Sequence, residues 1–117
     1  MVYKRTQLKR IVADLVRQLE RRANLPVDEV ILFGSYAWGK PASGSDIDLA
    51  VISSKFRGIS DIKRIEVLSD IARYVYPDWD IEIDVVGFTH DELAKAGYFD
   101  LAAVIKEKGK LIYKKAA

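Results

Sequence analysis

The sequence contains no cysteine and a single histidine. Without cysteine the chain can form no disulfide bond, thiolate metal site or cysteine nucleophile, so its chemistry has to come from other side chains. No stretch has the pattern of a signal peptide or is apolar for long enough to cross a bilayer, which predicts a cytoplasmic protein without a membrane segment. The formal net charge is only +2, so the total charge favours neither nucleic acid nor a membrane surface as a partner.

The composition is that of a globular protein, with 50% hydrophobic and 31% charged residues. A chain of this length can bury roughly two-thirds of the surface that it exposes when unfolded, enough for one core and one site. We find no repeat, low-complexity segment or linker in the sequence. Residues 1–117 are therefore expected to form a single domain.

Hydrophobic periodicity predicts an α/β (α+β) fold in which helices cover a small mixed β-sheet. Apolar residues at helical spacing indicate an amphipathic helix over about residues 4–23, whose basic residues form a solvated face. A second helix is expected over 59–75, before Pro77, with an apolar stripe made of Ile62, Ile65, Leu68, Ile71 and Val75. Short apolar runs indicate strands at 30–33 and 46–53.

The last third of the chain begins with a strictly alternating segment, residues 78–88. It predicts a strand with a buried face of Ile81, Ile83 and Val85, and an acidic face of Asp80, Glu82 and Asp84. Thr89 and Glu92 form a capping box for a short helix. A further helix over about 98–108, ended by Gly109, and an edge strand at 110–115 complete the prediction.

Two aspartates stand at the start of the second predicted strand. Asp46 and Asp48 are two residues apart, so they share one face of the strand and both carboxylates can reach a common pair of cations. Carboxylates that face the same small volume repel each other unless a positive charge lies among them. Ligands that are all oxygen favour a hard cation such as Mg²⁺ or Mn²⁺.

A glycine–serine pair, Gly34 and Ser35, ends the preceding strand. The segment "SYAWG" is expected to form one or two helical turns with Ser35 as the N-cap. Glycine allows the backbone to approach a ligand closely, and free N–H groups at a helix start favour a phosphate. A phosphate-binding turn beside a metal-binding pair suits a nucleoside triphosphate, with two metal ions activating an acceptor hydroxyl and stabilising the leaving pyrophosphate.

These motifs resemble a known family. "GS" followed by "SDIDLAV" resembles the G-S-x(n)-D-x-D signature of the DNA polymerase beta-like nucleotidyltransferase superfamily, and the short chain resembles its minimal nucleotidyltransferases. "IEIDVVGFTHDEL" resembles the strand that carries the third acid of the family, at Asp84, and "KEKGKLIY" resembles its usual C-terminal segment. The resemblance covers nearly the whole chain.

The resemblance implies a role for each matching residue. Gly34 and Ser35 would bind the triphosphate of ATP, Asp46 and Asp48 would ligate two Mg²⁺ ions, with Mn²⁺ as an alternative, and Asp84 would hold the catalytic metal and orient the acceptor oxygen. The sequence departs from the family at Trp38, where many relatives carry arginine. Lys40 is the candidate replacement for that phosphate contact, or Trp38 only packs.

The resemblance also implies a partner. Minimal nucleotidyltransferases are often paired with helical HEPN toxins and act as antitoxins by moving AMP from ATP to a tyrosine of the toxin. We therefore expect a protein adenylyltransferase that forms a hetero-oligomer with a HEPN-type protein. Two alternatives stay open: an antitoxin that only masks its partner, and a transferase acting on a small molecule or RNA.

Several residues carry a structural alternative beside the functional one. Ser45 is a candidate nucleotide contact, but closing the loop by bonding backbone is the favoured interpretation. Glu82 or Asp80 would replace Asp84 as third ligand if the register were shifted by two residues. An exposed structural role is favoured for His90. Four aromatic residues are expected to pack rather than to stack on bases: Trp38, Trp79, Tyr74 and Tyr76. A nucleic-acid groove is not expected.

Overall fold

The structure, a computed structural model, describes residues 2–78, 81–97 and 100–116. Five helices and four strands follow one another along these residues, together with a 3-10 turn at Ser54–Phe56. The helices are α1 (Arg5–Arg22), α2 (Ser35–Trp38), α3 (Asp61–Val75), α4 (His90–Ala94) and α5 (Leu101–Lys108). The strands are β1 (Glu29–Phe33), β2 (Ile47–Ile52), β3 (Ile83–Phe88) and β4 (Lys110–Lys114).

The strands form one mixed sheet in the order β3-β2-β1-β4, which confirms the predicted fold class. Strand β1 runs antiparallel to β2 and β4, whereas β2 and β3 are parallel and are connected through α3. Strand β4 is an edge strand, as predicted. Trp79, Asp80 and the first two residues of the predicted last helix, 98 and 99, lie outside the described residues.

Helix α1 covers one face of the sheet with the stripe that its periodicity predicts. The buried residues of this helix are Leu8, Ile11, Val12, Leu15, Val16 and Leu19, and they join the core formed with inward side chains of β1 and β2. Its basic residues are exposed, as expected for a solvated face. On the other face, Ala50 and Ile52 of β2 and Ala102 and Ile105 of α5 are buried. Each face of the sheet is therefore covered by helix.

The predicted apolar stripe of α3 is wrong at its N-terminal half. Ile62 is 71% exposed and Ile65 is 44% exposed, while the buried residues of the helix are Arg64, Leu68 and Ala72. The buried line thus follows an i, i+4, i+8 spacing that begins with a charged residue. The helix is therefore rotated about its axis relative to the predicted stripe. Arginine is almost never buried unless its charge is paired, so the contacts of Arg64 explain this rotation.

Arg64 is 4% exposed and all its contacts lie at the end of β3 away from Asp84. Its guanidinium donates two hydrogen bonds to the Glu92 carboxylate, at 2.7 and 3.1 Å. Further bonds go to the carbonyl oxygens of Phe56, Ile59 and Gly87. Glu92 also closes the predicted capping box with Thr89, which is confirmed. Arg64 holds the pKa of Glu92 below its usual value through this charge-assisted hydrogen bond.

No helix in the described part of the chain is both long and apolar enough to cross a membrane.

Candidate functional site

The end of β1 and the starts of β2 and β3 meet at one end of the sheet. In the strand register, Asp48 of β2 lies beside Phe33 of β1 on one side and beside Asp84 of β3 on the other. Asp46 directly precedes β2 and shares the face of Asp48. The structure therefore brings the predicted acids Asp46, Asp48 and Asp84 together at the end of β1 that leads into Gly34.

Asp48 is a partly buried acid of this cluster. Its pKa is raised to about 6, first because the carboxylate is partly buried and then because the charges of Asp84 and Asp46 oppose its ionisation. An aspartate with a raised pKa is destabilised in its charged form. The negative charge of the site is thus unfavourable, and a bound cation would offset it.

Glu82 belongs to the same cluster, as the alternative register allowed. A hydrogen bond with the Asp46 carboxyl group raises the pKa of Glu82, and the charge of Asp46 adds to the effect. The pKa of Asp84 is also raised, by partial burial first and then by the charge of Asp46 and a hydrogen bond with it. Glu82 and Asp84 therefore both interact with Asp46.

The chemistry of these donors fits a hard divalent cation, because all of them are carboxylate oxygens. Among the described residues, however, no three acidic, histidine or cysteine side chains already stand in the arrangement of a metal-binding site. Asp46 hydrogen-bonds Glu82 and Asp84 instead. The cluster has the donors and the charge for a metal ion, and Asp46 interacts with both Glu82 and Asp84.

Gly34 approaches Asp48 more closely than any other residue type could. A Cβ atom at this position would lie 2.1 Å from Oδ2 of Asp48, and φ is +71°, a conformation that glycine adopts at low cost. Gly34 is also the N-cap of α2, so the prediction of Ser35 as N-cap is wrong and Ser35 is the first helical residue. The chain can turn from β1 into α2 above Asp48 only because the capping position has no side chain.

The loop between α2 and β2 contains the remaining predicted contacts. The Ser45 hydroxyl accepts a hydrogen bond from the backbone N–H of Ala42 at 2.8 Å, and the Ser45 N–H donates to the Ala42 carbonyl at 2.9 Å. This confirms the loop-closing role that was favoured for Ser45, directly before Asp46. Lys40 is exposed at the beginning of the loop, where its N–H bonds the carbonyl of Ser35 at 3.3 Å.

The aromatic residues do not all pack as predicted. Trp38 is 52% exposed, and the Lys108 ammonium lies 5.9 Å from the centre of its ring. Tyr74 is exposed and is covered by Arg22, which also hydrogen-bonds its hydroxyl. Tyr76 does pack against the core, and its hydroxyl donates to Asp14 at 3.0 Å. The contact between Trp38 and Lys108 had no sequence signal, because the two residues are far apart along the chain.

His90 lies away from the acidic cluster. It begins α4 with an exposed side chain, and its Nε2 atom is 3.4 Å from a carboxylate oxygen of Asp28. Asp28 precedes β1, whose first residue pairs with the far end of β2. The structural role favoured for His90 agrees with this position.

Comparisons with known proteins agree with the fold. A family model described as Polymerase beta, Nucleotidyltransferase matches residues 17–117. A search of curated proteins found no match. A candidate nucleotidyltransferase from Sulfolobus solfataricus has a similar structure, with a TM-score of 0.68 and 18% identity over 95% of this chain and 84% of the other.

Two toxin–antitoxin structures are also similar to this chain. One is a complex with AMP-PNP, with a TM-score of 0.59 and 26% identity over 92% of this chain and 73% of the other. The other is a mutant of the MntA–HpeT complex in which two aspartates, two positions apart, are changed to glutamate. It has a TM-score of 0.54 and 18% identity, and the match covers 97% of this chain and 75% of the other.

Proposed function

The chain belongs to the polymerase beta nucleotidyltransferase family, and from this premise we propose that it transfers AMP from ATP to a hydroxyl group of a partner toxin and thereby acts as an antitoxin. The observation that carries the proposal is the convergence of Asp46, Asp48 and Asp84 at the turn that contains Gly34. A family fold alone can host many activities, whereas this arrangement places acids beside a backbone turn without a side chain.

The reaction is an in-line substitution at the α-phosphorus of ATP. The acceptor oxygen bonds to that phosphorus, the bond to the oxygen bridging the β-phosphorus breaks, and pyrophosphate leaves with the electron pair. The hydroxyl proton passes to Asp84, an exposed acid of the cluster. Positioning and charge neutralisation supply most of the rate in such transfers, since the protein forms no covalent bond with the substrate.

The proposed site has two parts, a group of acids and a backbone turn. Asp46, Asp48 and Asp84 would hold Mg²⁺, or Mn²⁺, which when bound neutralises phosphate charge and lowers the pKa of the acceptor hydroxyl. Gly34 lets the turn approach the Asp48 carboxylate closely, and Ser35, the first residue of α2, would offer its hydroxyl and backbone N–H to a phosphate. Lys40 and Ser45 stay candidate nucleotide contacts, although the Ser45 hydroxyl already bonds the loop backbone.

A toxin partner is supported by the comparison at 26% identity, a toxin–antitoxin complex with AMP-PNP. We propose a HEPN-type helical toxin as the partner and a tyrosine of it as the acceptor. The described fold consists of the sheet and its covering helices, without a further domain around Asp84 that could recognise an acceptor. An acceptor surface contributed by a partner protein is consistent with that architecture.

Intact-mass spectrometry of the partner tests the proposal. A candidate HEPN-type partner would be co-expressed with the unsubstituted chain and with the variant Asp46→Asn/Asp48→Asn. We expect mass increases of whole AMP units only with the unsubstituted chain, located on tyrosine by peptide mapping. The variant replaces carboxylates by amides of equal size, so it removes charge without removing volume.

The same experiment separates the alternatives. An unmodified partner that forms an equally tight complex with both versions would contradict catalysis and favour an antitoxin that only masks its partner. Transfer of AMP by the isolated chain to a small molecule or to RNA, with the partner unmodified, would contradict the proposed acceptor and keep the transferase.

A further inference from the structure

Trp38 and Lys108 form a contact that the proposed reaction has not used. Trp38 is the last residue of α2 and Lys108 the last residue of α5, and both side chains are exposed. The Lys108 ammonium lies 5.9 Å from the centre of the indole ring, within the range of a cation–π interaction. Packing in the core does not explain why a large aromatic ring is half exposed and lies beside a lysine.

The strand register places this pair at the same end of the sheet as the acids. Lys110 of β4 pairs with Leu32 of β1, and the next residue of β1, Phe33, pairs with Asp48. Lys108 is two residues before Lys110 and is therefore level with the turn from Phe33 into Gly34. Strands are spaced by about 4.8 Å, so β4 lies about 10 Å from β2, on the opposite side of β1.

Gly109 fixes the end of α5 against β1. A Cβ atom on Gly109 would lie 2.4 Å from Cγ2 of Ile31 and 2.4 Å from the carbonyl oxygen of Ile105. Only a residue without a side chain allows the helix to end this close to the strand. Ile31 is on the same face of the sheet as Phe33, so Lys108 leaves the helix on the face of Asp48.

Charge is therefore divided across this end of the sheet, with Gly34 between the two halves. Asp46, Asp48 and Asp84 lie on the side of β2 and β3, and Lys108 lies on the side of β4. Within the described part of the chain, Lys108 is not joined to a carboxylate by an ion pair. The aromatic ring orients the ammonium without neutralising it, so its N–H donors stay available for an anion.

We propose that Lys108 is a substrate-binding residue that contacts the β- and γ-phosphates of ATP, and that Trp38 is the positioning residue that holds it. The inference rests on the proposed function, because it assumes a triphosphate whose α-phosphate lies at the acids. The remaining phosphates then extend past Gly34 toward β4, where the fold presents Lys108. Pyrophosphate, the leaving group, is the part of the substrate that Lys108 binds.

The test is calorimetric titration of the chain with AMP-PNP and with AMP, each in the presence of Mg²⁺. Charge-assisted hydrogen bonds are strong enough that we expect Lys108→Gln to weaken AMP-PNP binding about 10-fold or more. AMP binding should change less than about 2-fold, since AMP lacks the phosphates concerned. The melting temperature without nucleotide should not change, because Lys108 is exposed.

Lys106→Gln is the matched control, since it removes the same charge from the same exposed end of α5. It should leave AMP-PNP affinity within about 2-fold of the unsubstituted chain. Trp38→Leu should weaken AMP-PNP binding, and Trp38→Phe should restore a part of it, because phenylalanine keeps an aromatic face for the ammonium. This recovery separates a positioning role from loss of bulk.

The outcomes are distinguishable. AMP-PNP binding that is unchanged by Lys108→Gln, or weakened equally by Lys106→Gln, would overturn the role of Lys108 and leave the proposed function in place. An unsubstituted chain that binds neither AMP-PNP nor AMP would overturn the proposed function, and the inference with it.

Discussion

Asp48 and Asp84 lie directly opposite each other on the parallel strands β2 and β3. Neighbouring strands are about 4.8 Å apart, so two carboxylates in this register cannot both ionise without cost. Partial burial is the largest cause of the raised pKa of both acids, and the charge of Asp84 adds to the effect on Asp48, whose pKa rises to about 6. A cation bound here, as the proposed function requires, would offset this cost.

The pair predicts that Asp48→Asn stabilises the folded chain near neutral pH. Because the pKa of Asp48 rises from 3.8 to about 6 on folding, the folded state binds more protons than the unfolded state between these values. The free energy of unfolding therefore falls as pH rises through this range, and the cost is complete above pH 6. The side chain is partly solvated, so we expect the variant to gain on the order of 1 kcal/mol at pH 7.5.

Urea unfolding at pH 7.5 and pH 4.5 would measure this gain, which should be much smaller at the lower pH. Asp70→Asn, which removes an exposed charge from α3, is the control and should have little effect at either pH. A lower stability of Asp48→Asn at pH 7.5 would mean that Asp48 is stabilised by its surroundings. Nucleotide transfer should be lost in this variant even as its stability increases.

Gly34→Ala should disrupt the site from the backbone side. The new Cβ atom would lie 2.1 Å from Oδ2 of Asp48, so either the carboxylate or the turn has to move. The positive φ adds about 1–2 kcal/mol of strain. We expect a loss of stability by urea unfolding together with a large loss of AMP transfer.

Gly39→Ala is the control for a Cβ atom at a positive φ without the contact with Asp48, although its ψ of 16° is left-handed helical and the ψ of Gly34 is −155°. Gly39 also has a positive φ, +82°, but a Cβ atom there would have no neighbour within 4 Å. Gly39→Ala should therefore lower stability by about 1–2 kcal/mol and preserve AMP transfer. Equal loss of transfer in both variants would show that backbone strain, and not contact with Asp48, is responsible.

The ion pairs that Glu92 and Asp91 of α4 form with arginine should differ sharply in their effect on stability. Arg64→Met leaves Glu92 without its partner and leaves the carbonyls of Phe56, Ile59 and Gly87 without a donor, at a cost of roughly 3–5 kcal/mol. Arg57→Met removes the pair with Asp91, whose side chains are 80% and 69% exposed, and should cost below about 1 kcal/mol. Urea unfolding of both variants gives the comparison, and similar costs would contradict a structural role for Arg64.

Local pattern was enough to predict the order of helices and strands and the acids that the structure places near one another. Asp46, Asp48 and Asp84 could be found because alternation fixes which side chains share a face, and the resemblance added the strand of Asp84. Alternation also placed Glu82 on the acidic face, where it was the alternative third ligand, and in the structure it interacts with Asp46. Each of these inferences depends on residues close together along the chain.

What the pattern missed depends on contacts between distant segments. The rotation of α3 follows from a buried arginine whose partners lie on β3, α4 and the 3-10 turn. Gly34 replaces Ser35 as the N-cap because Asp48 leaves no room for a side chain there. Lys108 meets Trp38 only because β4 pairs with β1. Hydrophobic periodicity contains no information on such pairs.

The central claim is that Asp46, Asp48 and Asp84 hold a divalent cation together with a nucleoside triphosphate. Crystals grown with Mn²⁺ and AMP-PNP, measured at the manganese absorption edge, would locate the metal directly. The account predicts anomalous density between these carboxylates, in contact with the triphosphate, and none there in Asp46→Asn/Asp48→Asn. Nucleotide bound with manganese elsewhere, or no nucleotide at saturating concentration, would contradict it.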